Sequence, residues 1–156
     1  MSTRLPQGLY PVPDKDGRSR SIFCGPFAVA AITGRPVSEI CKLINVWRRH
    51  PPQKHVKGTY GSELLHVLRA MDWNVRLWNV ARKKATNGRT RPVYPTLAQW
   101  LQSNEKGLYI VGVTNHWVVI NRDWLQDTRY RTPVDMSRKN PYSRRRVTSY
   151  LKFITT

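Results

Sequence analysis

From Gly25 to Gly34 the chain reads Gly-Pro-Phe-Ala-Val-Ala-Ala-Ile-Thr-Gly, ten residues without a charge, directly after Cys24. Such a run predicts a buried helix. Pro26 suits its first turn, where a missing N–H would have had no partner, and Gly34 is a common helix stop. Cys24 therefore stands at the N-terminus of a core helix. Unpaired N–H groups and the helix dipole favour a thiolate there, and the thiolate is the nucleophilic form of cysteine. A small packing residue is the ordinary alternative for a buried cysteine, so the remaining chain has to supply the partners of a reactive one.

At 156 residues the chain suits one domain, a size that buries about 68–70% of the unfolded surface. Its 40% hydrophobic content, with six tryptophans and seven tyrosines, excludes a wholly disordered chain. Cys24 and Cys41 make no disulfide framework or zinc ligand set, and no cofactor or metal is called for. Met1 is not followed by an apolar signal-type segment, and no apolar run approaches ~18 residues. We therefore expect no signal peptide and no membrane span, and a reducing location: cytoplasmic, or a particle assembled there. The charge is the unusual quantity. Twenty-seven Lys and Arg against nine Asp and Glu give a formal +18, which points to a polyanionic partner, nucleic acid first.

Taken in order, residues 1–20 mix prolines, glycines and charges without an apolar period and are expected to form an extended arm. Residues 38–49 carry Ile40, Leu43, Ile44 and Trp47 at helical spacing behind Ser38 as cap, with Cys41 beside the apolar stripe. The segment from His50 to Lys57, including His55, reads as a loop. Ser62 is the expected cap of a third helix through Leu64, Leu65, Leu68 and Met71, with His66 on its outer face. Trp73 to Val80 alternates as a strand. Ala81 to Arg91, containing Lys83, Lys84 and an Asn87-Gly88 turn, reads as a basic loop. Thr96 caps a short helix through Trp100 and Leu101.

Leu108 to Val113 and His116 to Ile120 are β-rich runs joined by Thr114-Asn115, a hairpin, and Trp124 to Thr128 returns as a third antiparallel strand. Helices first and strands later define an α+β fold, N-terminal helices packed on an antiparallel sheet, over residues 21–128. Residues 129–156 read as a basic C-terminal extension whose end, Val147 to Ile154, docks as a strand or short helix. Arg138, Lys139, Arg144, Arg145 and Arg146, interleaved with Tyr130 and Tyr142, suit a phosphate backbone with some base stacking. With Lys83 and Lys84 they are the candidate nucleic-acid contacts.

A nucleophilic cysteine needs a base, and the base needs an orienting group. His116 opens one core strand and Asp127 ends the next, so in an antiparallel pair they become near cross-strand partners, with Cβ atoms ~5 Å apart. Cys24, His116 and Asp127 are the catalytic candidates, and replacing Asp127 is expected to harm turnover far more than folding.

Cys24-Gly25-Pro26 with Ala28, Ala31 and Gly34, then Gly58-Thr59 before the Leu64 helix, then His116-Trp117-Val118-Val119 and Asp127, resembles the papain-like fold in compact form. The likeness covers about residues 18–128 and is to bacteriocin-processing, double-glycine type peptidases and to small papain-like proteins of bacteriophages. It implies a thiol hydrolase acting on a peptide or protein substrate, or a scaffold of that fold kept as a basic nucleic-acid-associated or virion protein. If the chain is phage-encoded, its location is the host cytoplasm or the virion. Those peptidases carry a glutamine about six residues before the cysteine. Here that region holds Arg18, Ser19 and Arg20, which leaves the oxyanion to the Cys24 N–H with Arg18, Arg20 or Ser21 in place of the glutamine.

Overall fold

A computed structural model describes residues 9–12, 24–80, 82–86 and 89–154. Among these the fold is α+β: α1 (Cys24–Thr33), α2 (Val37–Arg48), α3 (Gly61–Ala70), β1 (Val75–Asn79), β2 (Arg82–Thr86), β3 (Arg89–Val93), α4 (Leu97–Ser103), β4 (Leu108–Val113), β5 (Trp117–Asn121), β6 (Trp124–Gln126), β7 (Val134–Asp135) and β8 (Val147–Phe153). Six strands form one antiparallel sheet in the order β1-β8-β4-β5-β6-β7, and β2 and β3 form a separate hairpin. No described helix is long and apolar enough to cross a membrane.

The sheet is covered on both faces, which is why β4 and β5 are continuous apolar runs rather than alternating ones. One core joins α1, α2 and α3 to Ile110, Trp117, Val119 and Leu151. The other joins Leu97 and Trp100 of α4 to Val111, Val118, Ile120, Leu125, Tyr142 and Val147. Helix α1 lies inside the first core and is buried from Cys24 to Ile32, as a helix apolar all round must be. Leu9 packs into the same core, and the Tyr10 N–H bonds the Ala31 carbonyl at 2.7 Å. Positions 1–8 and 13–20 of the expected arm and positions 21–23 after it, Arg18 and Ser21 among them, lie outside the described residues.

Several boundaries differ from expectation. Helix α2 is capped by the backbone at Pro36, whose carbonyl accepts the Glu39 and Ile40 N–H groups, and not by Ser38. Helix α3 starts one turn-position earlier than Ser62, at Gly61 behind Tyr60, because Glu63 reaches back to the Tyr60 N–H at 2.9 Å. Thr96 does cap α4, accepting the Gln99 N–H. Strand β1 begins only at Val75, since Asp72 at φ 65° and the Trp73 N–H, bonded to Leu68, still close α3. The basic stretch read as a loop is the β2–β3 hairpin, with Lys83 and Lys84 on β2. Backbone pairing across a two-residue connection forms it without the apolar alternation that marks a strand in sequence. Asn87 and Gly88 lie outside the described residues.

Val147 to Phe153 is a strand, and it lies inside the sheet. Leu151 faces Leu77 of β1 and Ile110 of β4, so β8 is what connects β1 to the remaining strands. The 129–146 segment is thereby tied at both ends, by β6 and by β8; it supplies β7 at the sheet's edge and sends Tyr142 into the core shared with α4.

Candidate active site

Cys24 is the first residue of α1 and is 5% exposed. Its position is fixed by a close approach from the segment before α3. A Cβ on Gly25 would lie 1.9 Å from Thr59 Oγ1 and 3.1 Å from Thr59 Cβ, so the missing side chain at Gly25 leaves the room that Thr59 fills. The Thr59 segment is itself pinned. Arg48 donates through Nε to Glu63 Oε2 at 2.5 Å and through Nη2 to Glu63 Oε1 and the Gly58 carbonyl, both at 2.8 Å. Burial works against the Glu63 charge, but these bonds outweigh it and hold the carboxyl below its ordinary range.

The Thr59 carbonyl accepts the Trp117 Nε1 proton at 3.0 Å, linking the support of Cys24 to the residue after His116. His116 follows the β4–β5 turn, where Val113 and His116 exchange both backbone hydrogen bonds at 2.7 and 3.1 Å. Thr114 and Asn115 sit at φ 37° and 60°, the left-handed pair that a two-residue hairpin demands. This conformation is uncommon for a β-branched residue, and it sets the angle at which His116 leaves the sheet.

His116 Nε2 lies 2.6 Å from Asp127 Oδ2. Val119 pairs with Gln126, which puts Val118, not His116, opposite Asp127. The two side chains therefore meet on the diagonal of the register, on the same face, and not as the direct partners expected. Asp127 is 1% exposed and accepts four hydrogen bonds. Oδ1 takes the Arg129 and Tyr130 N–H groups at 3.0 and 2.6 Å; Oδ2 takes His116 and the Tyr142 hydroxyl, the latter at 2.5 Å. Burial disfavours the carboxylate, but the bonds from His116, Tyr142 and Tyr130 outweigh it, and the acid is held below its usual range.

The imidazole balances similar forces. Burial pushes His116 down; hydrogen bonds to Asp127 and to the Cys24 side chain, with their charges, outweigh burial and raise it from 6.5 to about 9. With Nε2 committed to Asp127, the nitrogen left for the sulfur is Nδ1. Cys24 and Asp127 both act on the one imidazole, so a proton leaving the thiol has a receiver whose positive charge is already stabilised.

Tyr142 was expected among base-stacking aromatics on a basic extension. It is 4% exposed, closed over by the second core, and its ring cannot receive a base. Burial and its bond to Asp127 push its hydroxyl well above the ordinary phenol range, so it serves Asp127 as a donor. The sequence offered a faint signal for this, since Asn140-Pro141 before Tyr142 is a turn; Asn140 Oδ1 accepts the Tyr142 N–H at 3.0 Å.

Beside the imidazole opens a cleft of about 440 Å³, lined by Asn115, His116, Thr128, Arg129, Tyr142 and Arg145 among others. Arg129 belongs to the basic 129–146 run but is not among the candidate nucleic-acid contacts named from the sequence. The other basic candidates lie apart from this cleft: Arg138 and Lys139 follow the Asp135 turn, and Arg146 donates to the Tyr94 carbonyl at 2.8 Å. Arg138, Lys139 and Arg144 are exposed. Among the described residues no group of three His, Cys, Asp or Glu side chains could hold a metal ion. Comparison with family models, curated proteins and solved structures returns no match. The chemistry has to be read from the side chains.

Proposed function

We propose that the chain is a papain-like thiol hydrolase, a cysteine peptidase cleaving a peptide or isopeptide bond with Cys24, His116 and Asp127. The observation that carries this reading is His116, held by buried Asp127 at 2.6 Å and raised in pKa in part by Cys24, the first residue of the buried helix α1. The Cys24 sulfur, its proton already passed to His116, attacks the carbonyl carbon; collapse expels the amine, which takes that proton, and leaves a thioester. His116 then draws a proton from water, whose oxygen attacks the thioester, and sulfur departs with the proton returned. Asp127 holds the ring orientation and stabilises the imidazolium in both halves. Incubating a mixed peptide pool with the protein and with Cys24→Ala, followed by mass spectrometry, tests it. New termini that appear only with the unsubstituted protein support a peptidase; identical pools argue against one.

The exposed cations Arg138, Lys139 and Arg144 favour a second reading, a scaffold of this kind that binds nucleic acid or another polyanion, as a virion component does. Such binding weakens steeply with salt, with a slope near −0.9 per phosphate neutralised on duplex DNA. A mobility-shift titration at several salt concentrations separates this from a purely enzymatic role, and neutralising these positions together with Arg145 and Arg146 should flatten the slope.

A further inference from the structure

The cleft beside His116 is lined on one side by two guanidinium groups. Arg145 Cζ lies 5.1 Å from the centre of the Tyr142 ring and Arg129 Cζ 5.5 Å from that of Tyr130. A guanidinium held against a ring keeps its charge and its hydrogen-bonding edge while losing little further freedom on binding. Among the described residues no acidic side chain lines the cleft. The one carboxylate nearby, Asp127, is saturated by its four donors, and among the described residues neither arginine is in an ion pair. Two positioned cations thus face an opening without a counter-charge, next to the base that serves the sulfur.

Resting on the thiol-hydrolase reading, we propose that Arg129 and Arg145 form an anion subsite that selects acyl substrates bearing a carboxylate close to the reacting carbonyl, an acidic peptide segment. A paired fork of this type grips a carboxylate through two parallel N–H donors. The substrate is acyl and not nucleic acid, because a thiolate needs a carbonyl carbon and a phosphodiester has none. The cleft's volume of about 440 Å³ falls in the range of sites for small ligands.

The probes are iodoacetate and iodoacetamide, one anionic and one neutral, with the modified cysteine located by mass spectrometry on the full chain. The rate ratio of iodoacetate to iodoacetamide at Cys24, divided by the same ratio at Cys41, should favour iodoacetate. It should fall about tenfold in R129Q/R145Q, the scale of a lost hydrogen bond to a charged group. In K54Q/R76Q, which removes two exposed charges outside the cleft, it should stay. A short poly-glutamate peptide should also protect Cys24 better than a single-stranded oligonucleotide at equal charge and salt.

An equal fall in both double variants overturns the subsite, because overall charge then accounts for it. A change in both reagents' rates with the ratio held shows that the arginines only support their tyrosines, and also overturns it. Preferential protection by the oligonucleotide assigns the cleft to nucleic acid instead. These results leave the thiol chemistry standing. If Cys24 reacts no faster than Cys41 with either reagent, the hydrolase reading fails and the subsite fails with it.

Discussion

Residues 24–34 and residues 129–146 reach the same imidazole and are built from opposite materials. The first is an uncharged helix sunk in the core, and it brings the sulfur to a fixed place by packing. The second is rich in arginine, and it fixes the carboxylate by hydrogen bonds. Its backbone N–H groups at 129 and 130 and the hydroxyl of Tyr142 supply three of the four donors to Asp127. Packing tolerates small losses, whereas a buried carboxylate needs its whole donor set or becomes a liability. The polar region should therefore be the more fragile half of the site.

The largest expected effect follows from removing the centre of that donor set. Asp127→Ala strands the His116, Tyr142, Arg129 and Tyr130 donors inside the protein, and we expect a stability loss of about 3–5 kcal/mol, the scale for breaking a buried charged pair. This revises the sequence-based expectation that replacing Asp127 harms turnover far more than folding. Denaturant unfolding checks it: a loss below ~1 kcal/mol would show that water reaches these donors.

A pH series sharpens the same point. His116 is raised from 6.5 to about 9, so its contribution to stability is complete below about 6.5 and is lost as pH rises through about 9. The melting-temperature gap between the protein and His116→Gln should shrink over that window, by the equivalent of on the order of 3 kcal/mol. Asp127, held below its usual range, acts in the opposite sense and loses its contribution only as pH falls into acid. A gap that is constant from pH 6 to 10 contradicts the ion pair.

Smaller effects separate the two regions. Tyr142→Phe removes one donor from Asp127 and leaves the ring, so we expect a loss of about 1.5–3 kcal/mol together with slower alkylation of Cys24. A loss of stability without any change at Cys24 would confine Tyr142 to packing. On the helix side, Gly25→Ala drives a Cβ against Thr59 and should cost about 1–3 kcal/mol. Its diagnostic is tryptophan fluorescence, because the displaced Thr59 carbonyl is the acceptor for Trp117 Nε1; an unshifted spectrum would mean that Thr59 yields by side-chain rotation alone.

The same contrast explains what was legible in the sequence. Apolar period and turn chemistry reveal α1, the β4–β5 hairpin and the return through β6, which is enough to nominate Cys24, His116 and Asp127. The diagonal register was not readable, because it depends on how Val119 meets Gln126. Nor was the place of β8 between β1 and β4, since strand order is set by non-local pairing. Tyr142 and Arg129 were hidden by their neighbours: among so many arginines, composition suggests a solvated surface and conceals one tyrosine that is buried. Ser38 and Ser62 misled because backbone and Glu63 groups had already capped their helices.

Cys24, His116 and Asp127 should act as one unit, and competitive labelling of the two cysteines decides whether they do. With limiting iodoacetamide at pH 6 to 7, Cys24 should be modified well before Cys41 although it is the more buried of the two, because its sulfur faces an imidazolium. His116→Gln should abolish that advantage. Equal labelling of the two cysteines in the unsubstituted protein, or an advantage that survives His116→Gln, would contradict the account.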